Sequence, residues 1–258
     1  SGVLAALEED ADRTLQRLQG RFALAVWDSG RRLLAVYTDK FASLPVYVSD
    51  NELGFAFSTS IRALQRLSGR ESQVNRAGLA QFFTFGHLWN DDTFDASIRA
   101  AWSGTVTRFH VDRNASEVET YWRPSPSQTR LSQQESLRGL TEQLCHSVRE
   151  QSTSTGKLGI ALSGGLDART MLAMVDTDSV RPQCVSLGMK GSLDQRSSRR
   201  LAELAGCPFH SLVLGDGFLE RFREHLTRMV QLTDGHYLDQ CIVMPTFPLY
   251  QSLGITAL

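Results

Sequence analysis

Short apolar runs broken by turn residues fill the stretch from about residue 20 to 60. FALAVW at 22–27 is followed by Asp28-Ser29-Gly30, LLAVY at 33–37, PVYV at 45–48, the turn Asp50-Asn51, and GFAF at 54–57. Runs this short, separated by turn chemistry, predict an antiparallel meander. Leu79, Phe82 and Phe83 recur at helical spacing and predict a helix over 75–85, and TVTRF at 105–109 alternates in period two, as a strand does. The segment RPSPSQT at 123–129 has two prolines, small polar residues and no periodicity, so it reads as a linker.

Beyond it the pattern changes. Leu137, Leu140, Leu144 and Val148 recur at helical spacing, LGIAL at 158–162 is a continuous apolar strand, two glycines follow, and a helix is expected from about Ala168. Further strands are expected at 185–187 and 210–214. Between them Ser192-Leu193-Asp194-Gln195 fits a capping box, in which the serine hydroxyl and the glutamine side chain satisfy two orphan amides. That helix should bury Leu201, Leu204 and Ala205, expose Arg196, Arg199, Arg200 and Glu203, and stop at Gly206. Strand-helix-strand alternation implies a parallel sheet with right-handed crossovers. The expected organisation is a domain over 1–122, a linker over 123–131 and a second domain over 132–258.

Composition narrows the class without changing this picture. With 41% hydrophobic and 21% charged residues the 258-residue chain falls in the ordinary globular range, not a disordered or fibrous one. The balance of 27 basic against 28 acidic residues gives no global attraction to nucleic acid or anionic membrane, so neither is expected as a partner. Cys145, Cys184, Cys207 and Cys241 lie far apart, without CxxC spacing, and read as reduced core residues. No apolar run approaches the roughly 20 residues that span a bilayer and no signal segment opens the chain; the expectation is cytoplasmic. The start at Ser1 and the strand-like end GITAL lead to the expectation of a truncated protein.

In a parallel sheet, ligands collect beyond the carboxyl ends of the strands. The loop leaving Leu162 is built for an anion there. Gly164 and Gly165 let backbone amides approach without side chains in the way, and the following helix points its positive end at the same place. Ser163 adds a hydroxyl, and Asp167 adds a carboxylate able to hold a magnesium ion bridging phosphate oxygens. A Walker loop would need GK[ST] and a dinucleotide fingerprint GxGxxG; neither is present.

GIALSGGLDAR at 159–169 resembles the SGGxDS pyrophosphate loop of the ATP-pyrophosphatase superfamily, most closely its asparagine synthetase branch. The upstream half is similar to the end of that family's glutamine-hydrolysing domain at 18–28, 39–47 and 57–64, with Tyr121-Trp122 closing it. The resemblance implies a mixed α/β and α+β chain: part of an N-terminal-nucleophile (αββα) glutaminase-like domain, then part of a parallel-sheet ATP-pyrophosphatase domain of the adenine nucleotide α-hydrolase type. It implies an enzyme using ATP and Mg2+ to adenylate a carboxylate, by default aspartate, and to transfer ammonia from glutamine, giving amide, AMP and pyrophosphate. Leu162 and Leu187 would contact adenine through their backbones, Ser163, Gly164, Gly165, Leu166 and Asp167 would cradle pyrophosphate, and Asp167 would ligate magnesium. The glutaminase nucleophile would precede Ser1, the second phosphate loop would follow Leu258, and a homodimer is compatible. Ala168 stands where the motif has serine. The resemblance leaves two alternatives: an intramolecular amide former like the β-lactam synthetases and lasso-peptide cyclases, or a regulatory relative without nucleotide binding.

Other polar residues have simpler readings. Asp39 is expected as a turn residue and Asp194 as a helix-start residue. His210 is expected half-buried on a strand, His236 in a loop, Cys207 as a core thiol, and Arg169 as the one helix arginine near a phosphate.

Overall fold

The computed structural model describes residues 2–51, 54–68, 71–126, 130–153 and 156–258. It divides into two compact units, one of Ser1–Pro126 with Asp234–His236, the other of Ser127–Thr233 with Tyr237–Leu258. Of the linker expected at 123–131, residues 127–129 lie outside the described residues.

The first unit opens with two helices that the apolar runs above do not announce, α1 (Gly2–Glu9) and α2 (Ala11–Arg17). The Asp10 side chain caps α2 by accepting from the Arg13 amide. The expected strands form as β1 (Ala23–Asp28), β2 (Leu33–Thr38), β3 (Tyr47–Asn51) and β4 (Gly54–Ser58), but they do not make one meander. After α3 (Ile61–Ser68), α4 (Arg76–Phe85), β5 (Arg99–Ala100), β6 (Thr105–His110) and β7 (Ala115–Thr120), the strands sort into two antiparallel sheets, ordered β1-β2-β6-β7 and β4-β3-β5.

The chain changes sheet between β2 and β3. There the Asp39 carboxylate, 2% exposed, accepts from the amides of Phe22, Phe41 and Ser43 and from the Ser43 hydroxyl, and Ala42 turns at φ 48°. Strand β7 is exposed throughout and offers no apolar alternation; its Glu117 and Glu119 pair with His110 and Arg108 across the ladder, as suits a charged edge.

Side-chain contacts give the layering. Leu7 and Leu15 of the first two helices pack on Ala35, Tyr37 and Val106 of the four-stranded sheet. On that sheet's other face Phe109 stacks on Phe55 of β4, ring centroids 5.2 Å apart. Ile61 and Leu64 of α3 then close the far side of the second sheet over Tyr47, Ile98 and Ala56. The sequence of layers is helices, sheet, sheet, helix.

Gly104 ties this unit together. Its φ is 61°, it donates to Asp39 O and accepts from the Tyr121 and Trp122 amides, and a Cβ there would lie 2.5 Å from the Trp122 carbonyl oxygen. Gly104→Ala therefore faces both a strained dihedral and a backbone clash. It is expected to lower stability by about 2–4 kcal/mol, read as a shift in urea midpoint.

In the second unit, α5 (Gln133–Thr153) starts on a capping box that the apolar pattern did not flag: Glu135 Oε2 accepts from the Ser132 amide, and Ser132 Oγ accepts from the Glu135 amide. Among its described residues only Val148 and Ser152 are buried; Leu137 and Leu140, which recur at the expected helical spacing, are 63% and 66% exposed. Then come β8 (Gly159–Ala161), α6 (Leu166–Met174), α7 (Thr177–Val180), β9 (Gln183–Gly188), α8 (Leu193–Leu204) and β10 (Phe209–Val213). The strands are parallel, ordered β10-β9-β8. Helices α9 (Asp216–Glu220), α10 (Phe222–Thr233) and α11 (Thr246–Ser252) follow, none of them evident from the apolar runs.

The strand expected at the chain's end is reduced to a parallel bridge of Ala257 to Leu158, held by Gly159 N donating to Ala257 O at 2.8 Å. The sheet thus reads third, second, first, fourth in chain order, and the order reverses at β8. Among the described residues no helix is long and apolar enough to cross a membrane.

Candidate functional site

The strand order reverses at β8, and it is outside the carboxyl ends of the strands at such a point that open α/β sheets take their ligands. The segment Leu162-Ser163-Gly164-Gly165 leaves the sheet there. Leu162 is 2% exposed and both its backbone polar groups are engaged: its amide donates to Val185 O at 2.7 Å, and its carbonyl accepts from Ser198 Oγ at 2.7 Å. Ser163 and Gly165 are exposed, and Ser163 Oγ accepts from the Gly165 amide at 3.3 Å.

Helix α6 begins at Leu166, two residues before the expected start, with Gly165 as its N-cap. Asp167 therefore stands in the first helical turn and not in the loop. The amides of Leu166, Asp167 and Ala168 carry no hydrogen bond among the described residues, as the geometry of a helix start requires; the Arg169 amide makes the first bond, to Gly165 O. Three free donors and the positive end of the helix dipole converge on one exposed spot. The Asp167 carboxylate is exposed and has neither ion pair nor hydrogen bond among the described residues.

Neither glycine has a positive φ, so backbone freedom of that kind is not why they are glycine. Space is. A Cβ on Gly164 would lie 3.2 Å from both Asp194 Oδ1 and Ser197 Cβ. Arg169, expected near a phosphate, instead turns back on the loop, its Nη2 donating to Gly164 O at 2.8 Å and its Nε to Gly165 O at 3.4 Å. Asp194, expected only to start a helix, reaches the loop as well, where its Oδ1 accepts from the Gly164 amide at 3.3 Å.

The neighbouring strand end is held by α8, on which Leu201 and Ala205 pack against the core as expected and Leu204 does not. Gln195, Ser198 and Ala202 are buried, while Leu204 is 68% exposed. Ser192 Oγ caps the helix by accepting from the Gln195 amide. The Gln195 side chain does not return to Ser192. Its Nε2 donates to Gly188 O and to Leu212 O, both at 3.2 Å, tying the carboxyl ends of β9 and β10 together. A polar seam satisfies strand-end carbonyls that an apolar face would strand. Gly206 ends the helix at φ 66°, with Cys207 N donating to Ala202 O, as expected. Leu187 lies half-buried near the end of β9 in register with Leu212.

The remaining polar residues are structural. His210 is half-buried with its Nε2 2.9 Å from Gln183 Oε1. Cys184 and Cys207 are buried core thiols; burial, with Cys207 beside it, pushes the Cys184 thiol up to about 12. Arg199 is exposed, as expected, and lies over the Phe209 ring at 4.8 Å, and Arg200 pairs with Glu203. His236 belongs with the first unit, where its ring stacks on Tyr47 at 6.2 Å and burial lowers its pKa.

A metal here would depend on its ligand's own oxygens. Among the described residues no three His, Cys, Asp or Glu side chains gather to hold an ion. One free carboxylate beside free amides suits magnesium, which is commonly held by one or two carboxylates, phosphate oxygens and water.

Comparison with known proteins matches both halves. A family model described as a glutamine amidotransferase domain fits residues 2–122, and one described as asparagine synthase fits 139–254. A Mycobacterium tuberculosis protein assigned provisionally as a glutamine-hydrolysing asparagine synthetase is 26% identical over 179 residues, 67% of this chain and 27% of that one. Asparagine synthetase [glutamine-hydrolyzing] 1 of Bacillus subtilis is 19% identical over 250 residues, 96% of this chain and 38% of that protein. The chain thus spans well under half the length of these relatives. A solved glutamine-dependent NAD+ synthetase from Acinetobacter baumannii, in complex with ADP, aligns with 98% of this chain and 63% of its own at 13% identity and a TM-score of 0.32, too low to bear on the fold.

Proposed function

Starting from the fact that this chain belongs to the asparagine synthetase family, we propose that the loop at 162–167 binds the phosphates of ATP and serves adenylation of a carboxylate. The observation that carries this reading is the convergence of three free amides and the unpaired Asp167 carboxylate at the sheet's reversal point. The amides of Leu166, Asp167 and Ala168 and the Ser163 hydroxyl stabilise negative charge as it gathers on the departing pyrophosphate. Asp167 is the residue that would hold magnesium, which would supply positive charge against the phosphates when bound. Adenine lies against the strand ends at Leu162 and Leu187. Because both Leu162 backbone groups are already engaged, that contact shares the second lone pair of its carbonyl. The substrate carboxylate attacks the α-phosphate, and ammonia then attacks the acyl carbon and releases AMP.

The helix-sheet-sheet-helix layering of the first unit, within a span matched by a glutamine amidotransferase model, supports an N-terminal-nucleophile glutaminase as the ammonia source. Aspartate is the default acceptor, and the reaction belongs in the cytoplasm. Ala168 deprives the site of one hydroxyl, and the neighbouring amides supply the remaining donors. Incubation of the full-length protein with ATP, magnesium, aspartate and either glutamine or ammonia should yield asparagine and AMP in equal amounts. Release of ADP, or no saturable binding of ATP with magnesium, contradicts adenylation.

A further inference from the structure

We propose that Asp194 is a positioning residue for the phosphate loop, tethering Gly164 so that the loop is set before nucleotide arrives; this deepens the adenylation reading and rests on it. Two adjacent glycines leave a chain free to sample many conformations, and an anion that must order them gives up affinity. Here both polar groups of the Gly164 residue are taken. Its amide donates to Asp194 Oδ1 at 3.3 Å and its carbonyl accepts from Arg169 Nη2 at 2.8 Å. The two anchors come from different elements, α8 and α6. Ser197, one turn further along α8, would touch a Cβ on Gly164 at 3.2 Å, so the first turn of α8 lies flush against the loop.

The position of α8 is itself fixed by buried groups. Ser198 Oγ holds Leu162 O, the residue that opens the loop, and Gln195 holds the ends of the two neighbouring strands. Asp194 thus connects a rigid support to the softest part of the site. Its negative charge opposes a phosphate, but the side chain is exposed to water and stands at the positive end of its own helix, both of which weaken that repulsion. The tether also assigns the donors. With the Gly164 amide committed to Asp194, phosphate is left with the amides of Leu166, Asp167 and Ala168.

Geometry and charge separate in two variants of the full-length protein. Asp194→Asn keeps an oxygen acceptor without the charge; Asp194→Ala keeps neither. The expected result is an ATP KM raised about fivefold in Asp194→Ala with kcat nearly unchanged, and a value close to wild type in Asp194→Asn. Hydrogen–deuterium exchange over residues 159–169, without nucleotide, should be faster in Asp194→Ala alone. Tighter ATP binding in both variants would make Asp194 a competitor of phosphate and overturn the proposal, as would a fall in kcat with KM and exchange unchanged. Should wild type not turn over ATP, adenylation fails, while the exchange arm still decides whether the tether exists.

Discussion

Asp167→Ala in the full-length protein is expected to abolish ATP-dependent carboxylate activation while any glutaminase activity persists. Among the described residues its carboxylate makes no hydrogen bond or ion pair, so no side-chain contact of the fold is lost with it. Alanine is the best helix former, so the first turn of α6 survives the change. On the proposed reading, what would be lost is the side chain that would hold magnesium. Losing one preorganised group that stabilises transition-state charge costs about 10²–10³ in rate. Carboxylate-dependent exchange of pyrophosphate into ATP measures the adenylation step alone, and glutamate release from glutamine serves as the control. Exchange at the wild-type rate would remove the metal role from Asp167.

The second large effect falls in the first unit. Asp39→Ala removes a carboxylate that is 2% exposed and accepts from three backbone amides and a hydroxyl, leaving those donors in a site that cannot hydrate them. A loss of about 3–5 kcal/mol is expected in urea unfolding. Asp39→Asn, which retains one oxygen, should lose much less. Burial raises the Asp39 pKa, but the hydrogen bonds from Ser43, Phe41 and Phe22 outweigh it and hold the folded value below the ordinary 3.8. Its stabilising contribution is therefore complete above the unfolded value and fades as pH drops through the lower folded one. The wild type should lose stability steeply in that acid range, and Asp39→Asn should flatten the slope. At Asp95 too, burial raises the pKa but hydrogen bonds from Ser97, Gln65 and Ser72 outweigh it, so this carboxylate contributes to the slope that remains.

The strands and the glycine turn that follows β8 were legible in the sequence because they are local: a run of apolar residues and a pair of glycines carry their own signal. Sheet membership was not, because it depends on which distant strand β2 meets, and β6 stands some seventy residues on from it. The hydrophobic pattern placed Leu201 and Ala205 of α8 correctly but missed the polar part of its buried face. Leu204 was expected inside, yet the helix turns Gln195 and Ser198 inward, where strand-end carbonyls need donors more than the core needs a leucine. The same accounting was available for Asp194, since a carboxylate in a first turn can serve an external amide as readily as its own helix. The exposed strand β7 and the helices α10 and α11 had weaker signals still, one hidden by alternating charge and the others by polar residues on their buried sides, such as His225 and Thr246.

The parallel bridge between Leu158 and Ala257 has a bearing on biosynthesis. Contacts there join Lys157 to Thr256, 99 residues apart, so one flank of β8 stays bare while everything from the phosphate loop to α11 emerges from the ribosome. Closing so long a loop is slow, and the exposed strand edge invites mispairing until it happens. A nascent chain paused before residue 257 should therefore hold a second unit whose sheet is still unpaired on one side of β8.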